Sequence, residues 1–317
     1  MKVIEHIEKA ESPLISFEIL PPLKGKSIRS LYKILDPLME FNPPFINVTY
    51  HQAEYKYKLR ANGFFEKVNI SKRPGTVGIC AAIKFRYKVD AVPHLICGGF
   101  IKEETENALV DLNYLGVHNV LALRGDPVSS VTSFKPEEGG HAYAIELVKQ
   151  IVDLNKGVYL EEELTNGVKT DFCIGVAGYP EKHYEAANSK IDLRHLKSKV
   201  DAGADYIVTQ MFFENQKYFD FVRACREAGI TVPIIPGLKP LTRKRQLATI
   251  PRIFHSEIPE ALADALQDAK DDAACVQIGT EWAIQQSKEL IALGVPCLHF
   301  YTMGSVKVIQ NIARAVI

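Results

Sequence analysis

The sequence predicts an α/β fold of the (β/α)₈ TIM-barrel type, a single domain over residues 1–317 with one additional C-terminal helix. Eight short apolar runs alternate with helical patterns along the chain. Glycine recurs where a helix gives way to a strand, at Gly116, Gly203, Gly229 and Gly294. The rival, a doubly wound open sheet, is disfavoured because neither G-x-G-x-x-G nor G-x-x-x-x-G-K-[ST] occurs.

Taken in order, the strand candidates are Leu14–Leu20, Phe45–His51, Val92–Cys97, Asn119–Arg124, Cys173–Tyr179, Tyr206–Phe213, Val232–Leu238 and Cys297–Thr302. Their runs of Val, Ile, Leu and Phe fit strands buried on both faces. The helical stretches are Ile28–Glu40, Val77–Tyr87, Glu103–Leu115, Ala142–Asn155, Ser189–Ala202, Gln216–Ala228, Arg243–Ile250 and Ala273–Leu293, and Val306–Ala315 is the extra C-terminal helix. The longest expected loops are Pro127–Gly140 and Gly157–Thr170.

The chain has 317 residues, 47% hydrophobic and 24% charged, with zero formal net charge. No block of like charge favours nucleic acid. No apolar run approaches the ~20 residues of a membrane helix. The start, Met1-Lys2-Val3-Ile4-Glu5-His6, is too polar and acidic for a signal peptide, so a cytoplasmic protein is expected. Six scattered cysteines without a C-x-x-C pair point to buried free thiols, with no disulfide framework and no metal site.

A barrel of this type builds its active site at the C-terminal rim, so the polar groups that end the strands are the candidates. Strand one offers Glu18, just before Pro21-Pro22; the others offer Thr49, Tyr50 and His51, His94, Arg124 and Asp126, Tyr179, Gln210, Lys239, and His299 with Tyr301. Glu18 is either a structural ion-pair member or a general acid, since a carboxyl in an apolar wall tends toward a raised pKa. Taken singly, His94 and His299 read as satisfied core histidines, Arg124 with Asp126 as a local ion pair, Gln210 as a partner for backbone groups, and Phe212 and Phe213 as core. Taken together they describe a polar pocket for a heteroaromatic ligand, without the His/Asp/Glu spacing of a zinc site.

These residues stand in ordered segments: Ser16-Phe17-Glu18-Ile19-Leu20-Pro21-Pro22, Val48-Thr49-Tyr50, Pro93-His94-Leu95, Ala122-Leu123-Arg124-Gly125-Asp126, Ala177-Gly178-Tyr179-Pro180-Glu181-Lys182-His183, Lys197 to Ala204, Ile207 to Phe213, Ile235-Pro236-Gly237 and His299-Phe300-Tyr301-Thr302. The ordered set resembles the methylenetetrahydrofolate reductase family over nearly the whole chain, in its short bacterial form without a regulatory domain. The resemblance implies a barrel carrying non-covalent FAD. It also implies reduction of 5,10-methylenetetrahydrofolate to 5-methyltetrahydrofolate by NADH or NADPH in a ping-pong sequence, a step of one-carbon metabolism and methionine biosynthesis. Glu18 would be the acid that opens the five-membered ring by protonating N10. Asp126 would lie by the flavin and act in catalysis and folate binding, and Gln210, Gln246 and Tyr301 would contact substrate. Thr49, His94, Arg124, Asp126, Ala177, Tyr179, His183, Asp192 and Lys199 would hold FAD, with Lys197 also near the pyrophosphate. Partners would be these small molecules and further copies of the chain in a homo-oligomer.

The chain departs from the pattern at Met303-Gly304-Ser305, where relatives place an Arg suited to the glutamate tail, leaving Lys239, Arg243 or Lys307 to substitute. It departs again at Ile250, where some relatives place a stacking Phe. Two rival functions are a non-redox pterin-binding barrel of methyltransferase type, and a reductase subunit whose flavin is reduced by a partner protein.

Overall fold

The computed structural model describes residues 1–127 and 133–317. Its strands are β1 (Leu14–Ile19), β2 (Phe45–Val48), β3 (Glu54–Leu59), β4 (Phe65–Ile70), β5 (Asp90–Ile96), β6 (Asn119–Leu123), β7 (Cys173–Gly178), β8 (Tyr206–Thr209), β9 (Ile234–Ile235), β10 (Gly237–Leu238) and β11 (Cys297–Tyr301). Its helices are α1 (Val3–Lys9), α2 (Arg29–Leu35), α3 (Thr76–Tyr87), α4 (Lys102–Tyr114), α5 (Ala144–Asn155), α6 (Ser189–Asp201), α7 (Asn215–Glu227), α8 (Gln246–Phe254), α9 (Glu260–Asp268), α10 (Asp272–Ala292) and α11 (Val306–Val316).

The large sheet is wholly parallel and runs β10-β11-β1-β2-β5-β6-β7-β8-β9. Its two end strands are consecutive in the chain, separated by Pro236 alone, whose ring has no N–H to give a ladder. The Pro236 carbonyl still accepts from the His299 N–H at 3.0 Å. β9 and β10 are therefore one stave, and the sheet closes into the eight-stave barrel expected from the sequence. All eight expected strands form, most of them a little shorter than expected. Gly116, Gly203, Gly229 and Gly294 all have positive φ, as helix-ending glycines require.

Alternation decides what each strand sends inward. On β1, Ile15, Phe17 and Ile19 pack outward under the helices, which leaves Ser16 and Glu18 inside. On β11, Leu298 and Phe300 pack outward, leaving His299 and Tyr301 inside. The lower interior is filled by Phe45, Val92, Leu121, Cys173, Tyr206, Val208, Ile235 and Cys297.

The sequence left α1 unread. This helix closes the N-terminal end of the barrel: Val3 is fully buried in the interior cluster, its N–H donates to Asn119 Oδ1 at 2.8 Å, and His6 Nε2 lies 2.8 Å from Asp90 Oδ2. Asn119 and Asp90 are the first residues of their strands. The β3–β4 hairpin and α9 are likewise additions. The stretch expected as one helix over Ile28–Glu40 is α2 followed by a 3₁₀ segment, Asp36–Phe41, that begins where Pro37 removes an amide donor. All six cysteines are buried and unbridged. Within the expected loop Pro127–Gly140, residues 128–132 lie outside the described residues; Gly157–Thr170 is a loop, tied by the Tyr159 hydroxyl to the Val168 carbonyl at 2.7 Å. Among the described residues no helix is long and apolar enough to cross a membrane.

Candidate active site

Glu18 projects inward at the upper end of β1, its side chain 13% exposed, so it is enclosed yet reachable from the mouth. Register sets it beside Tyr301 on β11 and Asn47 on β2. The backbone is pinned: both the N–H and the hydroxyl of Thr302 donate to the Glu18 carbonyl, at 3.1 and 2.7 Å. Thr49 donates its hydroxyl to Glu18 Oε1 at 3.0 Å. On the other oxygen, Oε2, His94 Nε2 approaches to 3.5 Å and His299 Nε2 to 3.8 Å. Ser16, one inward position below Glu18, meets His299 Nδ1 at 2.8 Å and orients that ring.

The sequence-based expectation of a raised Glu18 pKa is corrected by this geometry. Burial pushes the carboxyl up, but His94, then His299 and the Thr49 hydroxyl, more than offset it and hold the group below its ordinary value. Those partners come from strands that the local sequence around Glu18 does not reveal. Burial also drives His94 down to about 4, against the pull of Glu18, so its imidazole is neutral at neutral pH. Neither histidine is the satisfied core residue first expected. Nε2 of His94 and of His299 has no hydrogen-bond partner among the described residues, and the same holds for both amide atoms of Asn47 and the Tyr206 hydroxyl. Buried polar atoms are normally paired, so this cluster marks the interior beneath Glu18 as polar and functional in character.

A second group gathers at the ends of β6 and β7. Arg124 pairs with Glu185 at 2.5 Å, and not with Asp126 as one reading of the sequence had it. Asp126 follows Gly125, whose φ of +86° and close approach to Ile96 require glycine at the turn leaving β6. The Asp126 carbonyl accepts from Gln52 at 2.8 Å. Tyr179 meets His183 edge-on, ring centroids 4.8 Å apart, and the His183 N–H donates to Asp192 at 2.9 Å. Lys199 is half-buried, donates to the Ala177 carbonyl at 2.7 Å, and is lowered by burial to about 8 while Asp192 pulls the other way. Arg124 and Lys199 both act on His183, which burial and those cations push down. Lys197, expected beside them, instead pairs with Asp201 one helical turn away.

The two groups border one space. Glu18 and Asp126 both act on His51, while Glu18 and Tyr179 both act on Tyr301. His51, one of the rim candidates read from the end of the second strand, was assigned no role from the sequence, yet it lies between the two groups. Across the mouth, the Gln210 side chain accepts from the Met211 N–H at 2.9 Å, and the Tyr301 hydroxyl donates to the Thr209 carbonyl at 2.6 Å. Gln246 opens α8 and accepts from the Thr242 N–H at 2.7 Å. Ile250 is buried in an apolar cluster with Met211, Phe213, Leu241 and Leu262 that walls this side. Ser305 sits at the start of α11, its N–H on the Thr302 carbonyl.

The cationic and aromatic side chains of the β6–β7 edge fit a phosphate-bearing heteroaromatic cofactor: Arg124 and Lys199 supply charge, and Tyr179 and His183 supply ring faces. Thr49 and His94, also expected to hold the cofactor, lie against Glu18 in this structure.

A sequence model of the family described as "Methylenetetrahydrofolate reductase" matches residues 2–316. Methylenetetrahydrofolate reductase 1 of Schizosaccharomyces pombe is 33% identical over 309 residues, which is 97% of this chain and 46% of that protein. The 5,10-methylenetetrahydrofolate reductase of Escherichia coli is 33% identical over 291 residues, 92% of this chain and 86% of that one. The chain thus spans about half the length of the eukaryotic relatives it matches. An uncharacterized Clostridium thermocellum protein, described as binding two copies of 5-methyl-5,6,7,8-tetrahydrofolic acid, shares the fold at a TM-score of 0.58 and 15% identity, over 99% of this chain and 98% of that one. By the family match over nearly its whole length, the chain belongs to the methylenetetrahydrofolate reductase family.

Proposed function

We propose that this protein reduces 5,10-methylenetetrahydrofolate to 5-methyltetrahydrofolate, taking electrons from NADH or NADPH by way of FAD in a ping-pong sequence. The observation that carries the reading is a carboxyl group, Glu18, at the floor of a barrel mouth, held by Thr49, His94 and His299. The family supplies the substrate, and Glu18 supplies the group that handles its proton.

Arg124, His183 and Lys199 would hold the FAD phosphates, with Ala177, Tyr179, Asp192, Thr49 and His94 completing the cofactor's surroundings. Asp126 would stand by the ring system, Gln210 would read the pterin edge, and Gln246 and Tyr301 would line the substrate. FAD, when bound, supplies the two-electron carrier; the protein binds, orients and tunes.

The protein's own chemistry centres on one proton. In the free protein Glu18 is a carboxylate, because two imidazoles and a hydroxyl favour its charged form. Covering the mouth with a flat ligand removes the remaining solvent from Glu18, which raises its proton affinity. Glu18 then holds a proton at the floor of the site, where N10 of the folate accepts it as the five-membered ring opens. His299, fixed by Ser16, and His94 keep the carboxyl aimed and limit how far its pKa rises. Transfer of electrons from NAD(P)H requires no proton from Glu18, so the two half-reactions separate.

The accompanying proposals are a cytoplasmic location and assembly of several copies, checked by fractionation and by light scattering. The purified protein should be yellow, bleach anaerobically with NADH or NADPH, and recolour with methylenetetrahydrofolate. A protein that takes up no FAD contradicts the reading and favours the non-redox pterin barrel. A flavin that free nucleotides fail to bleach favours reduction by a partner protein.

A further inference from the structure

Lys239 follows β10 directly, at the C-terminal mouth of the barrel. It is 4% exposed, and it makes no ion pair or side-chain hydrogen bond among the described residues. Burial alone lowers its ammonium to about 8, with no charged group acting on it. Lys199, half-buried, differs, since it has the Ala177 carbonyl. The stem of Lys239 is packed away while its Nζ is not among the enclosed unpartnered atoms, so the ammonium keeps an opening and is free to take an acceptor from a ligand.

Its position limits what that is. Leu238 packs outward with the helix layer, so alternation turns Gly237 and Lys239 toward the interior. A side chain at Gly237 would strike the Tyr301 hydroxyl and the Thr209 carbonyl, which leaves Lys239 as the inward group of this stave. Leu238 is in register with Phe300, so Lys239 comes level with Tyr301, which is itself level with Glu18. Two interstrand spacings separate Lys239 from the acid, roughly 10 Å. One molecule that presents a basic nitrogen to Glu18 must therefore present an anion or strong acceptor about two staves away. In the folate skeleton a rigid para-substituted benzoyl ring links N10 to the glutamyl carboxylates and spans such a gap. The nicotinamide donor has no use for Glu18, so the spacing favours the folate.

We propose that Lys239 is the carboxylate-binding residue of the folate subsite, its ammonium holding a glutamyl carboxylate while N10 lies at Glu18. The assignment rests on the folate reading above. It gives the chain its tail contact where Met303-Gly304-Ser305 offers no cationic side chain.

The test is calorimetric titration of the FAD-loaded protein with 5-methyltetrahydrofolate and with 5-methyltetrahydropteroate, which lacks the glutamate. Lys239→Met should weaken the folate about 10- to 100-fold, the worth of a charge-assisted hydrogen bond, and leave the pteroate unchanged. Lys239→Arg should recover most of the loss. The thermal midpoint of Lys239→Met should equal or exceed that of the parent, because a lone buried charge has been removed, and this separates ligand loss from misfolding. Equal weakening of both ligands, no weakening of either, or weakening of NADPH instead would overturn the assignment. If the parent protein binds neither pterin, the folate reading itself falls and Lys239 falls with it; if the parent binds both and Lys239→Met does too, only the lysine assignment is lost.

Discussion

Glu18 and His94 face each other across 3.5 Å inside the barrel mouth, and each changes the other's hold on a proton. The carboxyl is held low and the imidazole is driven to about 4, so at neutral pH the free pair is a carboxylate beside a neutral ring. The pair thus carries net negative charge until a ligand covers it.

The pair makes the protein's stability depend on pH. Folded His94 stays neutral down to about pH 4, whereas in the unfolded chain it protonates near its ordinary 6.5. Between those values the unfolded state binds more protons, so this stability is present above pH 6.5 and lost as pH falls toward 4, by about 3 kcal/mol at most. Glu18 adds in the same direction, since a lowered carboxyl contributes above its ordinary pKa and loses that contribution as pH falls through the lowered one. Urea denaturation at pH 7 and pH 5 should show the parent losing more stability than His94→Gln; parallel losses would contradict the account.

Lys199 is predicted to hold the cofactor rather than the fold. Lys199→Met removes a half-buried ammonium that, among the described residues, donates to the Ala177 carbonyl. FAD affinity, followed by quenching of flavin fluorescence, should fall about 10- to 100-fold, while the apoprotein's thermal midpoint changes little. Unchanged FAD affinity would exclude Lys199 from the cofactor site.

Gly175 is predicted to be a packing requirement. A methyl group there would run into the ring and hydroxyl of Tyr206, which is fully buried in the barrel interior. Gly175→Ala should cost about 1–3 kcal/mol with an unchanged denaturant slope. A neutral result would mean that the Tyr206 ring is free to shift.

The barrel was legible because its code is local. Each inward and outward position is written in the alternation of one strand, and helices α4, α6, α7 and α10 end at a glycine of positive φ. The hairpin was missed although Asn62-Gly63 sits between alternating segments, a strong turn signal. Its apolar residues Tyr57, Leu59 and Phe65 are exposed and lie outside the barrel core, so the barrel pattern did not call for them. α1 was unreadable because a single buried residue, Val3, ties a polar helix to the barrel. The site was legible as a set of residue types at strand ends. Its electrostatics were not, because the groups that set the state of Glu18 arrive from β2, β5 and β11 and only closure of the barrel brings them together.

The central claim is that Glu18 supplies the ring-opening proton and takes no part in accepting electrons from the nucleotide. Anaerobic stopped-flow absorbance on Glu18→Gln tests it most directly, because the two half-reactions are read on the same flavin band. Bleaching by NADH or NADPH should match the parent, and reoxidation by methylenetetrahydrofolate should slow by about 100- to 10,000-fold, the usual worth of a positioned acid. Reoxidation at the parent rate would contradict the account.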